Sequence, residues 1–96
     1  MPTYDILESF WRDFDSLSPA EQRDFLAAVQ KFLTDLRRGK LRAGLRVKGI
    51  KGVRGIYEIT WAPDGRATFQ YGDPVHEGEP HIVWRRIGKH DIFDAP

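Results

Sequence analysis

The sequence contains no cysteine, and its one methionine is the first residue. The missing thiols exclude disulfides, thiolate nucleophiles and thiolate metal sites. A reducing compartment is compatible with that. No apolar run approaches the roughly 20 residues that a helix needs to cross a bilayer, so no membrane partner is expected. The opening "MPTYDILESF" carries acids where a secretory signal needs bases, which sets a cytoplasmic expectation. No internal repeat or low-complexity segment is apparent. Acidic residues are also missing from Leu36 to Ile56, "LRRGKLRAGLRVKGIKGVRGI", a stretch with eight basic side chains. The whole chain has a formal net charge of +1, so this block is offset by acidic flanks. A concentrated block of this kind attracts phosphates even on a nearly neutral protein. A solvated loop would carry the same charge for solubility.

What is present fits one domain over residues 1–96. In "SPAEQRDFLAAVQKFLTDLRRG", Ser18 is a good helix N-cap, Pro19 suits the first turn and Glu21 completes a capping box. Phe25, Leu26, Val29, Phe32, Leu33 and Leu36 then recur with helical period. Arg37 and Arg38 suit the last turn, and Gly39 can close it. Upstream, "SFWRDFDSL" shows the same period over a shorter run and reads as a first helix. The residues "TYDIL" are compatible with a short strand before it.

After Gly39 the period changes to that of strands. "RVKGI", "IYEITWA", "RATFQYG" and "HIVWRRIG" are candidate strands, with "PDG" at Pro63–Gly65 supplying hairpin chemistry. The expected class is α+β: a helical hairpin on one face of a small antiparallel sheet, with a short N-terminal strand at one edge. Parity puts Tyr57, Ile59, Trp61, Ala67, Phe69 and Tyr71 under the helices. It leaves Glu58, Thr60, Arg66, Thr68 and Gln70 on an open face. The last strand does not obey one parity, because Arg85 and Arg86 follow Val83 and Trp84.

Several chemical constellations follow. "KGIKGVRG" has the GxxG spacing of RNA-clamping loops but precedes a strand, where such motifs require a helix. A glycine-rich connection is the better reading. "DPVHEGEPH" clusters His76 and His81 with acids, yet no pair has metal-ligand spacing, so no metal or cofactor is expected. At the C-terminus, "WRRIGKHDIF" gathers Arg86, Lys89 and His90 around the end of the last strand. Cations together with a group that titrates near neutrality are what phosphodiester chemistry requires.

The ordered set of "FLTDLRRG", "GLRVKGIKG", "GIYEITWAPDGRATFQY" and "IGKHDIF" resembles the RelE/ParE superfamily, the toxins of type II toxin–antitoxin pairs. That resemblance spans the whole chain and implies a ribosome-dependent messenger-RNA endoribonuclease using the substrate's own 2′-hydroxyl. It implies as partners a cognate antitoxin protein, the ribosome and mRNA, with DNA reached only through a toxin–antitoxin complex. Arg66 matches an arginine that contacts the scissile phosphate, and Lys48 a basic residue on the preceding strand. His90 lies near a terminal functional group, and Phe93 where several members have a tyrosine. Glu58 and Thr60 occupy positions that are lysines in one branch, which suggests Glu58 or His90 as base. The candidate catalytic residues are therefore Arg66, His90 and Glu58, and the candidate RNA contacts Lys48, Lys51, Arg54, Arg86 and Lys89. Two alternatives are a ParE-like gyrase inhibitor and a member retained mainly to bind its antitoxin.

Overall fold

A computed structural model describes residues 2–96. The chain begins with β1 (Thr3–Ile6), then α1 (Glu8–Asp15) and α2 (Pro19–Arg38). β2 (Lys48–Gly49), β3 (Tyr57–Ala62), β4 (Gly65–Gly72) and β5 (His81–Gly88) follow. Short 3-10 turns form at Ala43–Leu45 and His90–Asp94. The long helix starts as its capping chemistry predicts: the Ser18 hydroxyl accepts from the Glu21 amide, and the Glu21 carboxylate accepts from the Ser18 amide. It stops at Gly39, whose φ of +77° is a left-handed value that glycine adopts without a Cβ penalty.

The sheet has five strands in the order β1-β5-β4-β3-β2. β2, β3, β4 and β5 form an antiparallel meander. The N-terminal edge strand is present, but it runs parallel to β5, so the sheet is mixed and not purely antiparallel. The helical hairpin inserted after β1 returns the chain to the far side of the sheet, and the meander then brings β5 back beside β1. His81, buried at the start of β5, holds the two strands together. Its Nδ1 lies 2.6 Å from the Thr3 hydroxyl and its Nε2 2.8 Å from the Asp5 carboxylate.

Between helices and sheet, Phe10, Phe25, Phe32, Phe69 and Trp84 form a continuous aromatic core. Ile59, Ala67 and Ile82 are fully buried beside them. Trp61 joins this core as expected, its indole lying over Gly65 so closely that a Cβ there would meet ring carbon at 2.5 Å. Tyr71 departs from expectation. It is 43% exposed and leans edge-on against Tyr57, beyond the helical cover.

The opposite face departs further. Glu58 and Thr68, expected on an open surface, are both buried. The C-terminal segment folds back across that face, where the Thr68 hydroxyl donates to the Pro96 carbonyl at 3.2 Å. Arg85 Nε donates to the same oxygen at 3.1 Å. The irregular parity of β5 also has a cause. Thr68 pairs with Arg86 and Phe69 with Trp84, so Arg85 is an extra, unpaired residue. This bulge lets Trp84 and Ile87 both reach the core although they are three positions apart.

Candidate functional site

Directly paired residues of a sheet share a face, so the registers can be read across the strands. Lys48 pairs with Glu58, Glu58 with Thr68, and Thr68 with Arg86. The next row is Thr60, Arg66 and Gly88. Both rows lie on the face away from α2. Because Gly88 ends β5 opposite Arg66, the residues after it emerge beside the β3–β4 turn. Lys89 and the 3-10 turn bearing His90 therefore sit at that end of the sheet.

Arg66 curls over the turn below it, with Nη1 donating to the carbonyls of Gly65 (2.9 Å), Ala62 and Pro63 (both 3.3 Å). Among the described residues it makes no ion pair, so its positive charge is not neutralised by a neighbouring carboxylate. His90 is exposed and meets Phe93 edge-on, with ring centroids 5.5 Å apart. Lys89 lies 3.9 Å from Asp64, an exposed pair of little energetic weight. A groove of about 450 Å³ runs between the end of α1 and this turn, with Asp13, Arg86, Lys89 and His90 in its walls.

The other predicted residues are placed differently. Glu58 does not meet His90: its carboxylate is 3.8 Å from Lys48 Nζ, and the His90 ring is against Phe93. An acid–base pair between them does not form, because Glu58 lies in the interior row while His90 projects past the end of β5. Lys48 is correspondingly tied to Glu58. Arg86 is held by Asp13 through Nε (2.6 Å) and Nη2 (3.2 Å), and its Nη1 donates to the Ala95 carbonyl. The Asp13 hydrogen bonds hold its guanidinium above the ordinary arginine pKa, although partial burial opposes this.

Lys51 and Arg54 are exposed in the loop between β2 and β3, which the Ile50 amide closes by donating to Ile56. That loop lies at the opposite end of the strands from the β3–β4 turn. Lys51 and Arg54 of the basic block therefore do not converge with His90. The structure brings Arg66, Lys89 and His90 to one end, leaves Lys51 and Arg54 at the other, and places Glu58 with Lys48 between them.

Three polar groupings were not read from the sequence. Arg85 joins the tail because of the bulge, which no sequence period reveals. Asp13 fell within a predicted helix but gave no sign of its partner 73 positions away. Asp35, fully buried in α2, accepts from Arg42 Nε, Nη2 and backbone N at 2.8, 2.8 and 2.9 Å. The Arg42 side chain lowers the Asp35 pKa from 3.8 to about 2, against the opposing effect of desolvation. An acid inside an otherwise apolar helix stripe was the available signal. Among the described residues no group of three or more potential metal-ligating His, Asp or Glu side chains converges. No helix among them is long and apolar enough to cross a membrane.

No family model and no curated protein matches this sequence. Solved structures do match it. A copper-bound mutant toxin from Helicobacter pylori aligns with TM-score 0.66 at 18% identity, covering 95% of this chain and 97% of that one. YafQ from E. coli strain BL21(DE3) aligns with TM-score 0.63 at 15% identity, over 95% and 96% of the two chains. A chain of the RelB–RelE antitoxin–toxin complex from Methanococcus jannaschii aligns with TM-score 0.63 at 18% identity, over 96% and 99%. At these identities the likeness establishes the fold, which is that of the RelE-like toxins.

Proposed function

We propose that this protein is the toxin of a type II toxin–antitoxin pair and cleaves messenger RNA on the ribosome. The observation that carries the reading is the gathering of Arg66, Lys89 and His90 at one end of a RelE-like sheet, with Arg66 free of any carboxylate among the described residues. The fold adds support, since structures sharing it include a RelB–RelE antitoxin–toxin complex and a DinJ–YafQ complex. A co-expressed antitoxin is the corresponding partner.

The reaction is a transesterification within the substrate. The 2′-oxygen attacks the adjacent phosphorus as His90 accepts its proton. The P–O5′ bond breaks, leaving a 2′,3′-cyclic phosphate, and the departing 5′-oxygen takes a proton from solvent to become the 5′-hydroxyl. Arg66 stabilises the charge that builds on the phosphoryl oxygens. Proton transfer by a positioned side chain contributes roughly a hundred- to ten-thousandfold in rate. No metal or cofactor enters this scheme. Glu58, buried against Lys48, neutralises that lysine, and the base role falls to His90. Lys51 and Arg54 contact phosphates remote from the cleaved bond. Lys48 and Arg86 act through their carboxylate partners, and Lys89 adds field at the groove.

The decisive experiment incubates purified protein with translating ribosomes and maps new RNA ends. His90→Ala should lower single-turnover cleavage far more than RNA binding, because proton transfer matters only in the transition state. Arg66→Ala should damage both. Intact messages together with accumulating gyrase-cleaved DNA would move the assignment to a gyrase inhibitor. Unimpaired growth at high expression would leave antitoxin binding as the surviving role.

A further inference from the structure

His90 stands on a weakly built element. Its 3-10 turn has five residues, and Lys89, which precedes it, supplies no side-chain cap. Ile92 is the turn's buried anchor, and a Cβ on Gly88 would lie 3.0 Å from its Cγ2. The His90 ring itself is exposed and touches only the edge of Phe93 among aromatic neighbours. Such a turn would wander unless the chain were fixed on both sides of it.

One ion pair contributes on both sides, beside the β4 pairing of Ile87 and Gly88 before the turn and the Thr68 and Arg85 hydrogen bonds to Pro96 after it. Upstream, Asp13 Oδ2 accepts from the backbone amide of Ile87 at 3.1 Å, three positions before His90. Downstream, Arg86 Nη1 donates to the carbonyl of Ala95 at 3.0 Å, five positions after it. Asp13 and Arg86 are joined to each other by a two-pronged contact. α1 thereby grips the end of β5 and the returning tail at a single point, beyond where β1 stops covering the β5 edge. The bulge at Arg85 makes this possible by leaving Arg86 beside α1.

We propose that Asp13 and Arg86 are a positioning pair for His90, setting the direction of its imidazole across the groove without touching substrate. The catalytic half of this inference rests on the RNA-cleavage reading. Its geometric half does not. A guanidinium is required because one planar group must serve Asp13 along one edge and Ala95 along another. The compact ammonium of lysine cannot hold both directions at once.

The test uses Asp13→Asn and Arg86→Lys, conservative variants that keep the side-chain size, with folding verified by circular dichroism. In the full-length protein, the nuclear Overhauser effect between the His90 and Phe93 rings should be strong in the parent and absent from both variants. The contact of His81 with Thr3 serves as an unchanged internal reference. Persistence of the parental His90–Phe93 signal in both variants overturns the proposal. In cleavage assays each variant should lower kcat by about tenfold, a fraction of the effect of general acid–base catalysis, with KM unchanged. Adding Asp13→Asn to His90→Ala should cause no further loss, since residues acting through one another are not additive. A full additional loss shows that Asp13 works independently of His90 and also overturns it. Should the parent leave RNA intact, the RNA reading fails while the ring contact still decides the positioning role.

Discussion

Asp35 shows how one buried carboxylate makes stability depend on pH. Its folded pKa of about 2 lies below its ordinary 3.8, so the unfolded chain binds its proton first as pH falls. The stabilisation is complete above the ordinary value and is lost as pH drops from about 4 towards about 2. The parental urea midpoint should therefore decline across that interval. Asp35→Asn should begin lower at pH 7, with Arg42 facing a neutral amide, and decline less. Equal slopes for the two proteins would remove Asp35 from the account. Gly65→Ala tests close packing instead. The new methyl group would collide with the Trp61 indole, and overpacking of this sort destabilises by roughly 1–3 kcal/mol. The readout is urea unfolding followed by tryptophan fluorescence. At this scale the sequence was informative where chemistry is local, as for Ser18, Glu21 and Gly39. It was silent where a side chain finds a distant partner, as Asp13 finds Arg86. Each of those residues is acceptable at its place without the other, so neither marks the pair.

Among the elements, α2 was the most legible because cap, period and stop signal all agree. Ser18→Ala should lower stability by about 1 kcal/mol, measured by thermal unfolding, with the helix otherwise retained. β3 and β4 were legible through alternation around a two-residue turn. β5 was legible as a strand but not in its faces, since a bulge changes parity at one residue and leaves no periodic trace. The loop between β2 and β3 carries a separable prediction. Lys51→Ala with Arg54→Ala should flatten the log–log salt dependence of RNA binding by about 0.7 for each phosphate that the loop no longer neutralises. Because this loop is at the far end of the strands from His90, cleavage at saturating RNA should stay near the parental rate. A matching fall in that rate would show that the two ends act as one site.

For the whole molecule, the α+β class followed from the order of periodicities, but the path of the first strand did not. A four-residue alternation fits an edge in either direction, and its direction was decided by the hairpin that follows it. The open face was misjudged for a related reason: eight C-terminal residues with no strand period return to cover it. Candidate residues that the sequence offers together therefore separate in the fold. Arg66 and His90 share an end, whereas Glu58 and the glycine-rich loop belong elsewhere.

The parallel union of β1 with β5 also sets a schedule. Thr3 and its partner His81 are 78 positions apart, so β1 leaves the ribosome while the strand it needs has not been made. Pairings of such long separation form late, after the intervening chain has been ordered. In pulsed hydrogen exchange, the β1 amides should gain protection after those of α2 and the β3–β4 hairpin. Until then a growing chain presents an unpaired strand, an invitation to a sister chain on the same message. Synthesis on crowded polysomes is therefore the moment at which this protein is most exposed to tangling with its own copies.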